Sequence, residues 1–295
     1  MKRYILVIAM IFVIVLTASA CSSNEINEPS AKAPAERDVV LNITTTNKLL
    51  YYMVKDIVGD KHYVDYMFKN EKEIWDFKYT EDSLNNIAKK DLFIYIGGNY
   101  EPWMVSFTDT IKKSKVGIIN ASRGVKLLNL SKSRNYNNRE IKENPYYWMS
   151  IDNYKIALLN IKNAVQDKDP KNRQFYEQNF SNKIKSIEEK EVKLKKLSST
   201  FKESYIGLHD DYTEYLIEYL GLKSIKLQDL FKNEEEIKKF DESMKDKKGK
   251  AIFFYVEDSN KEFYEPLIEK YSMKAIKVQG IVGSKEYSEM LSDLL

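Results

Sequence analysis

The stretch "KNRQFYEQNFSNKIKSIEEKEVKLKKLSSTF" (171–201) contains neither glycine nor proline. Along it Tyr176, Phe180, Ile184, Ile187, Leu194 and Leu197 recur at helical spacing, the pattern of a helix with one apolar stripe. Just ahead, Asp169 and Pro170 suit a helix start, with Asp as N-cap and Pro in the first turn. About 27 residues at roughly 1.5 Å each make a rod about 40 Å long, against a mean helix of about 11–12 residues. A coiled-coil dimer is one reading of such a rod. The stripe is short and broken by Lys, Glu and Ser, which favours a rod packed along the chain's own body, so that residues 169–201 link what lies on either side.

Both sides alternate strand-like and helix-like segments. "VVLNIT" (39–44) is a short apolar run, and Thr46 is placed to cap a helix whose face carries Leu49, Leu50, Met53, Val54 and Ile57, ending at Gly59. "HYVDYMF" (62–68) alternates, a helix starts at Thr80, "DLFIYI" (91–96) reads as a buried strand, and a helix over 101–112 precedes a strand at 116–119. Residues 121–143 are polar and basic without period and read as a surface loop, and 151–167 as a helix. After the rod, strands are expected at 204–208, 223–227, 250–256 and 274–278, and helices at 210–220, 233–245, 259–271 and 284–294. The fold class is α/β, two lobes of mainly parallel sheet flanked by helices, at 38–168 and 202–295, joined by one long helix.

The opening "MKRYILVIAMIFVIVLTASAC" has a basic start, an apolar middle and small residues before Cys21, the order of a secretory signal. Its apolar run is shorter than the roughly 20 residues a spanning helix needs. Cys21 is the only cysteine, so no disulfide forms within the chain. A lone Cys at that point resembles a bacterial lipobox, although Ala18 stands where leucine is commonest, and implies lipidation at Cys21 and anchoring on the extracytoplasmic membrane face. Residues 22–37 are polar, with two prolines, and read as a flexible tether. The net charge of +3 falls by two on removal of a leader carrying Lys2 and Arg3. With Lys and Glu interspersed, there is no clustered basic face for nucleic acid.

Ligands of open α/β sheets sit beyond the carboxyl ends of the strands. The loops in question are "NEKEIWDFKYTED" (70–82), "GGNYEPW" (97–103), "NPYYWMS" (144–150), "LHDDYTEY" (208–215), "VEDSNKEF" (256–263) and "VQGIVGSKEY" (278–287). With the Glu101–Trp103 "E-x-W", the "DPKNRQFYEQNFSNKI" run (169–184) and the His-led "HDDYTEYLIEYLGL" (209–222), they resemble the zinc/manganese solute-binding lipoproteins of bacterial ABC importers over nearly the whole mature chain. That resemblance implies a protein that serves a membrane permease and takes a divalent metal, zinc or manganese, as cargo; a monomer is expected.

Carried over by position, the family's first histidine ligand falls on Trp75, the second on Tyr146, the third ligand on His209 and the fourth, an aspartate, at or near Gln279. Indole has no lone pair to offer, phenol is protonated at pH 7, and an amide oxygen is a weak neutral ligand. Trp75, Tyr146, Trp148 and His209 instead suit a cleft for an apolar, aromatic or cationic organic ligand, unless the aromatics plug it. Another reading takes Glu73, Asp76, Asp210, Glu257 and Asp258, with His209, as oxygen-rich ligands for manganese or calcium. His62 lies outside these loops and receives no role. No Gly-rich phosphate loop, nucleophile elbow or paired-Cys motif is present, which argues against an enzyme. The alternative function is a cell-surface interaction protein on the same scaffold without a small ligand.

Overall fold

The structure is a computed structural model that describes residues 38–295 apart from 202–203, 210, 228–233, 246–248, 257, 279–286 and 294–295. Residues 40–295 form one compact unit. The elements are β1 (Asn42–Asn47), α1 (Lys48–Val58), β2 (Tyr63–Phe68), α2 (Glu71–Asp76), α3 (Glu81–Ala88), β3 (Leu92–Tyr95), α4 (Met104–Ile111), β4 (Gly117–Asn120), β5 (Asn129–Tyr136), β6 (Arg139–Glu143), α5 (Ile151–Lys168), α6 (Arg173–Ser199), β7 (Tyr205–Leu208), α7 (Glu214–Tyr219), β8 (Ser224–Lys226), α8 (Glu234–Met244), β9 (Ala251–Tyr255), α9 (Asp258–Lys270), β10 (Lys274–Lys277) and α10 (Tyr287–Asp293).

Two parallel four-stranded sheets result, β2-β1-β3-β4 and β10-β9-β7-β8. In each, the first strand in sequence is central, the second lies outside it, and the chain then crosses to the other side. Both sheets therefore reverse strand order beside their first strand, where α/β sheets bind ligands. The inner strands β1, β3 and β9 are short and mostly buried, as parallel strands covered on both faces must be, while the edge strands β2, β4, β8 and β10 are partly exposed.

The rod is α6, 27 residues long. Tyr176, Lys183, Ile187, Leu194 and Ser198 are its buried positions, and it packs on α1, α5 and α10. Lys183 is accommodated there by an ion pair with Asp56 at 2.9 Å. One continuous core runs from Leu41 to Leu291, and a smaller one gathers Leu227, Phe240, Phe253 and Tyr264. Tyr154 of α5 stacks on Tyr287 of α10 at 3.7 Å between ring centroids.

Several sequence expectations need correction. The stretch 121–143 holds an antiparallel hairpin, β5–β6. Its turn has positive φ at Asn137 and Asn138, +46° and +63°, as a two-residue primed turn requires. The cap of α1 is Asn47, whose side chain accepts from Leu50 N, because the Thr46 hydroxyl is turned to Glu101. Asp169 stands at the N-cap of the turn Pro170–Asn172 with Pro170 in its first turn, as expected, but makes no side-chain cap bond. It accepts from Tyr176 Oη at 2.5 Å, and that oxygen lies 2.7 Å from His62 Nε2. Leu41 N donates to His62 Nδ1, which leaves the proton on Nε2. Burial lowers the His62 pKa against the pull of Asp169, so His62 is a neutral buried link between the start of β2 and the start of the rod.

Candidate functional site

The loop after β2 is a short helix rather than an open loop. Asn70 caps α2, accepting from Glu73 N at 2.9 Å, while Glu73 Oε2 accepts from Lys69 N at 2.8 Å, a variant of the capping box. Ile74 is buried, and Trp103 Nε1 donates to its carbonyl at 2.9 Å. The "E-x-W" pair thus has two structural duties. Trp103 pins α2, and Glu101 accepts from Thr46 Oγ1, from Ile96 N at 2.8 Å and from Gly97 N at 3.1 Å, tying the ends of β1 and β3 together. Gly97 sits at φ +79°, and a Cβ there would meet Asn120 Oδ1 at 1.9 Å, so only glycine closes this turn.

Trp75 follows on α2, half-buried, and Tyr146 is 6% exposed. The structure brings both around Arg134 of the hairpin. The guanidinium carbon lies 5.4 Å from the Trp75 ring centroid and 5.6 Å from that of Tyr146. Arg134 Nη1 pairs with Glu71 Oε1 at 2.6 Å, and Nη2 donates to Tyr146 Oη at 2.7 Å. Tyr146 Oη in turn donates to Glu71 at 3.0 Å. Tyr136 of the same hairpin meets Trp75 edge-on at 6.0 Å. Burial raises the Tyr146 pKa, and Glu71 raises it further, so the phenol stays protonated. Burial works against the charge of Arg134, but Tyr146 and Glu71 overcome it and hold the guanidinium firmly protonated.

Trp148 is fully buried, edge-on to Tyr100, Tyr146 and Tyr147. It backs Tyr146 rather than facing solvent. Asp76 ends α2 and is exposed, and Glu73 is engaged in the cap. His209 follows β7 at the carboxyl end of the second sheet's first strand. Its ring is edge-on to Tyr264 of the smaller core, with Nδ1 3.4 Å from Tyr264 Oη. The His209 loop reaches the first site through its neighbours: Tyr212 lies 5.0 Å from Tyr146 between ring centroids. Asp211 accepts from Ser131 N at 3.0 Å, from Ser131 Oγ at 2.7 Å and from Lys226 Nζ. Asn144 Nδ2 donates to Asp211 O at 2.9 Å. Cys21, Asp210, Glu257 and Gln279 lie outside the described residues. Among the described residues, no three His, Cys, Asp or Glu side chains converge as a metal ion would require.

Arg134 and Glu71 are the participants that sequence reasoning missed. The signal for Arg134 was the "NYNNRE" turn, which marks a hairpin and so a side chain with a fixed direction.

Residues 43–295 match the family model of the zinc-uptake complex component A, periplasmic, ZnuA. The chain belongs to this family. It is 27% identical over 263 residues to the high-affinity zinc uptake system protein ZnuA of Bacillus subtilis (strain 168), covering 84% of this chain and 79% of that one. It is 24% identical over 310 residues to the metal ABC transporter substrate-binding lipoprotein FimA of Streptococcus parasanguinis, covering 98% and 96%. Among solved structures, the metal-dependent lipoprotein YcdH from Bacillus subtilis superposes with a TM-score of 0.68 at 19% identity over 86% of this chain and 96% of that one. The Zn(II)-bound ZnuA-like domain of AdcA from Streptococcus pneumoniae does so at 0.67, with 19% identity over 86% and 96%. This ZnuA-family chain therefore has the α/β fold of solute-binding proteins of metal importers. No helix among its described residues is long and apolar enough to cross a membrane.

Proposed function

We propose that this chain is the lipid-anchored, extracytoplasmic solute-binding component of an ABC importer whose cleft has exchanged the family's metal shell for an aromatic one that takes an organic solute. Family membership supports the importer role, and relatives are named as substrate-binding lipoproteins of zinc and manganese transporters. Cys21 is the anchor, a membrane permease the partner, and the protein acts as a non-catalytic monomer. The single observation that carries the exchange is Arg134. A guanidinium lies between Trp75 and Tyr146, at the two positions where relatives by resemblance place histidine ligands, with Glu71 as its counter-ion. A divalent ion arriving there meets a fixed cation, an indole and a protonated phenol. His209 and any ligand near Gln279 would be left to hold it alone.

The test is a titration of chelator-dialysed protein, residues 22–295, with zinc and then manganese during thermal unfolding. A ligand that binds only the folded state stabilises by about 2.7 kcal/mol at 100 times its dissociation constant. The expected result is no shift at micromolar metal. A clear rise in Tm that disappears in His209→Ala would instead mean that a metal site survives around that histidine.

A further inference from the structure

Four groups surround the Arg134 side chain: the Glu71 carboxylate at 2.6 Å, the Tyr146 oxygen at 2.7 Å, and the faces of Trp75 and Tyr146 at 5.4 Å and 5.6 Å. Opposite charge, an acceptor for a second N–H and aromatic faces are what a planar guanidinium needs. A zinc ion needs several N, O or S ligands at about 2.0–2.3 Å, and here the one carboxylate is already paired. The Trp75 Nε1 atom is buried without a hydrogen-bond partner among the described residues. An indole donor beside the cation thus remains available to an acceptor atom that arginine itself does not have.

The attachment of the Arg134 side chain is separable from that of its hairpin. The hairpin is held by Ser131 on Asp211, by Arg139 Nη2 on Pro102 O at 3.0 Å and by Glu143 on Asn99 at 2.9 Å. The Arg134 side chain itself is 34% exposed. Its release would need rotation only about its own side-chain bonds, with β5–β6 in place, and would break an ion pair that is already partly exposed.

We propose that Glu71, Trp75 and Tyr146 form a binding site for a guanidinium-bearing solute, filled in this structure by the chain's own Arg134 as a tethered stand-in, which the solute displaces. The proposal rests on the reading of this cleft as the solute site and supplies its ligand class. Arg134 then sets the affinity, because each solute must compete with a side chain whose effective concentration is high and fixed.

Methylguanidinium is the probe. It is titrated into residues 22–295, wild type and Arg134→Ala, by calorimetry and by tryptophan fluorescence. Saturable binding at least tenfold tighter to Arg134→Ala than to wild type is expected, because the internal competitor is gone. Adding Glu71→Gln to that variant should abolish it, and methylammonium, which lacks the planar fork, should bind at least tenfold more weakly. An Arg134→Ala protein with native circular dichroism that does not bind methylguanidinium saturably, or binds it no tighter than wild type, overturns the proposal. If Arg134→Ala does not fold, Arg134→Gln keeps most of the stem and decides by the same criteria. Zinc and manganese titrations of the same wild-type sample separate the two readings. Metal binding that depends on His209 would overturn the proposed exchange of the metal shell, while the methylguanidinium comparison still decides whether the Arg134 site accepts a guanidinium.

Discussion

Glu101 is a carboxylate only 3% exposed to solvent. Burial pushes its pKa up to about 7 from an ordinary 4.5, against the donors Thr46, Ile96 N and Gly97 N that favour the anion. A raised folded-state pKa means that the folded protein holds a proton the unfolded chain has lost. The stability from this group is complete below about pH 4.5 and falls away as pH rises through 7. Thermal unfolding of the wild type should therefore show a falling Tm contribution between pH 5 and about 8, and Glu101→Gln should flatten that segment of the profile while lowering stability throughout. An unchanged slope in the variant would assign the pH dependence elsewhere. At this scale the sequence was only partly legible. Trp75 and Tyr146 were singled out because they stand where the resemblance puts ligands, and the structure places both around the Arg134 guanidinium. Glu71 and Arg134 carry no motif of their own, since an ion pair between distant elements leaves no local pattern. His62 gave no signal either, because its partners Tyr176 and Asp169 lie 114 and 107 positions away.

The elements with strong periodicity were the legible ones. The rod announced itself by 31 residues without a helix breaker (171–201), and the parallel strands by apolar runs between helices. The hairpin was missed because its strands, "NLSKSRNY" and "REIKE", carry few apolar residues and only Ile141 is buried, so burial imposes little alternation on them. What defines the hairpin is its turn. Asn137 and Asn138 hold positive φ, which asparagine tolerates and β-branched residues do not. Asn138→Val should destabilise the hairpin by about 1–2 kcal/mol. Asn138→Gly should be neutral or slightly stabilising. Amide exchange across 129–143 is the measurement, and faster exchange in the valine variant alone is the expected outcome. Equal protection in both would mean that the attachments to Asp211, Pro102 and Asn99 hold the hairpin without help from its turn.

For the whole molecule, the two sheets share more than a connecting rod. Each has the same internal strand order, yet a single apolar core joins Leu41 to Leu291 and α6 contributes to it from end to end. Tyr154 on Tyr287 adds a link at one place, and Ser131 and Asn144, both on Asp211, at another. A shared core predicts one cooperative transition in place of two. The three tryptophans, Trp75, Trp103 and Trp148, all precede the rod, so their fluorescence follows the first sheet and its surroundings, whereas far-UV circular dichroism follows helices on both sides. Urea denaturation followed by both signals should give one midpoint and one slope. Separate midpoints would mean that the core contacts across α6 are too weak to couple the sheets. Coincident midpoints would fit halves tied at several points, and the proposed entry of a solute would then have to rely on side-chain and loop adjustment rather than on wide closure.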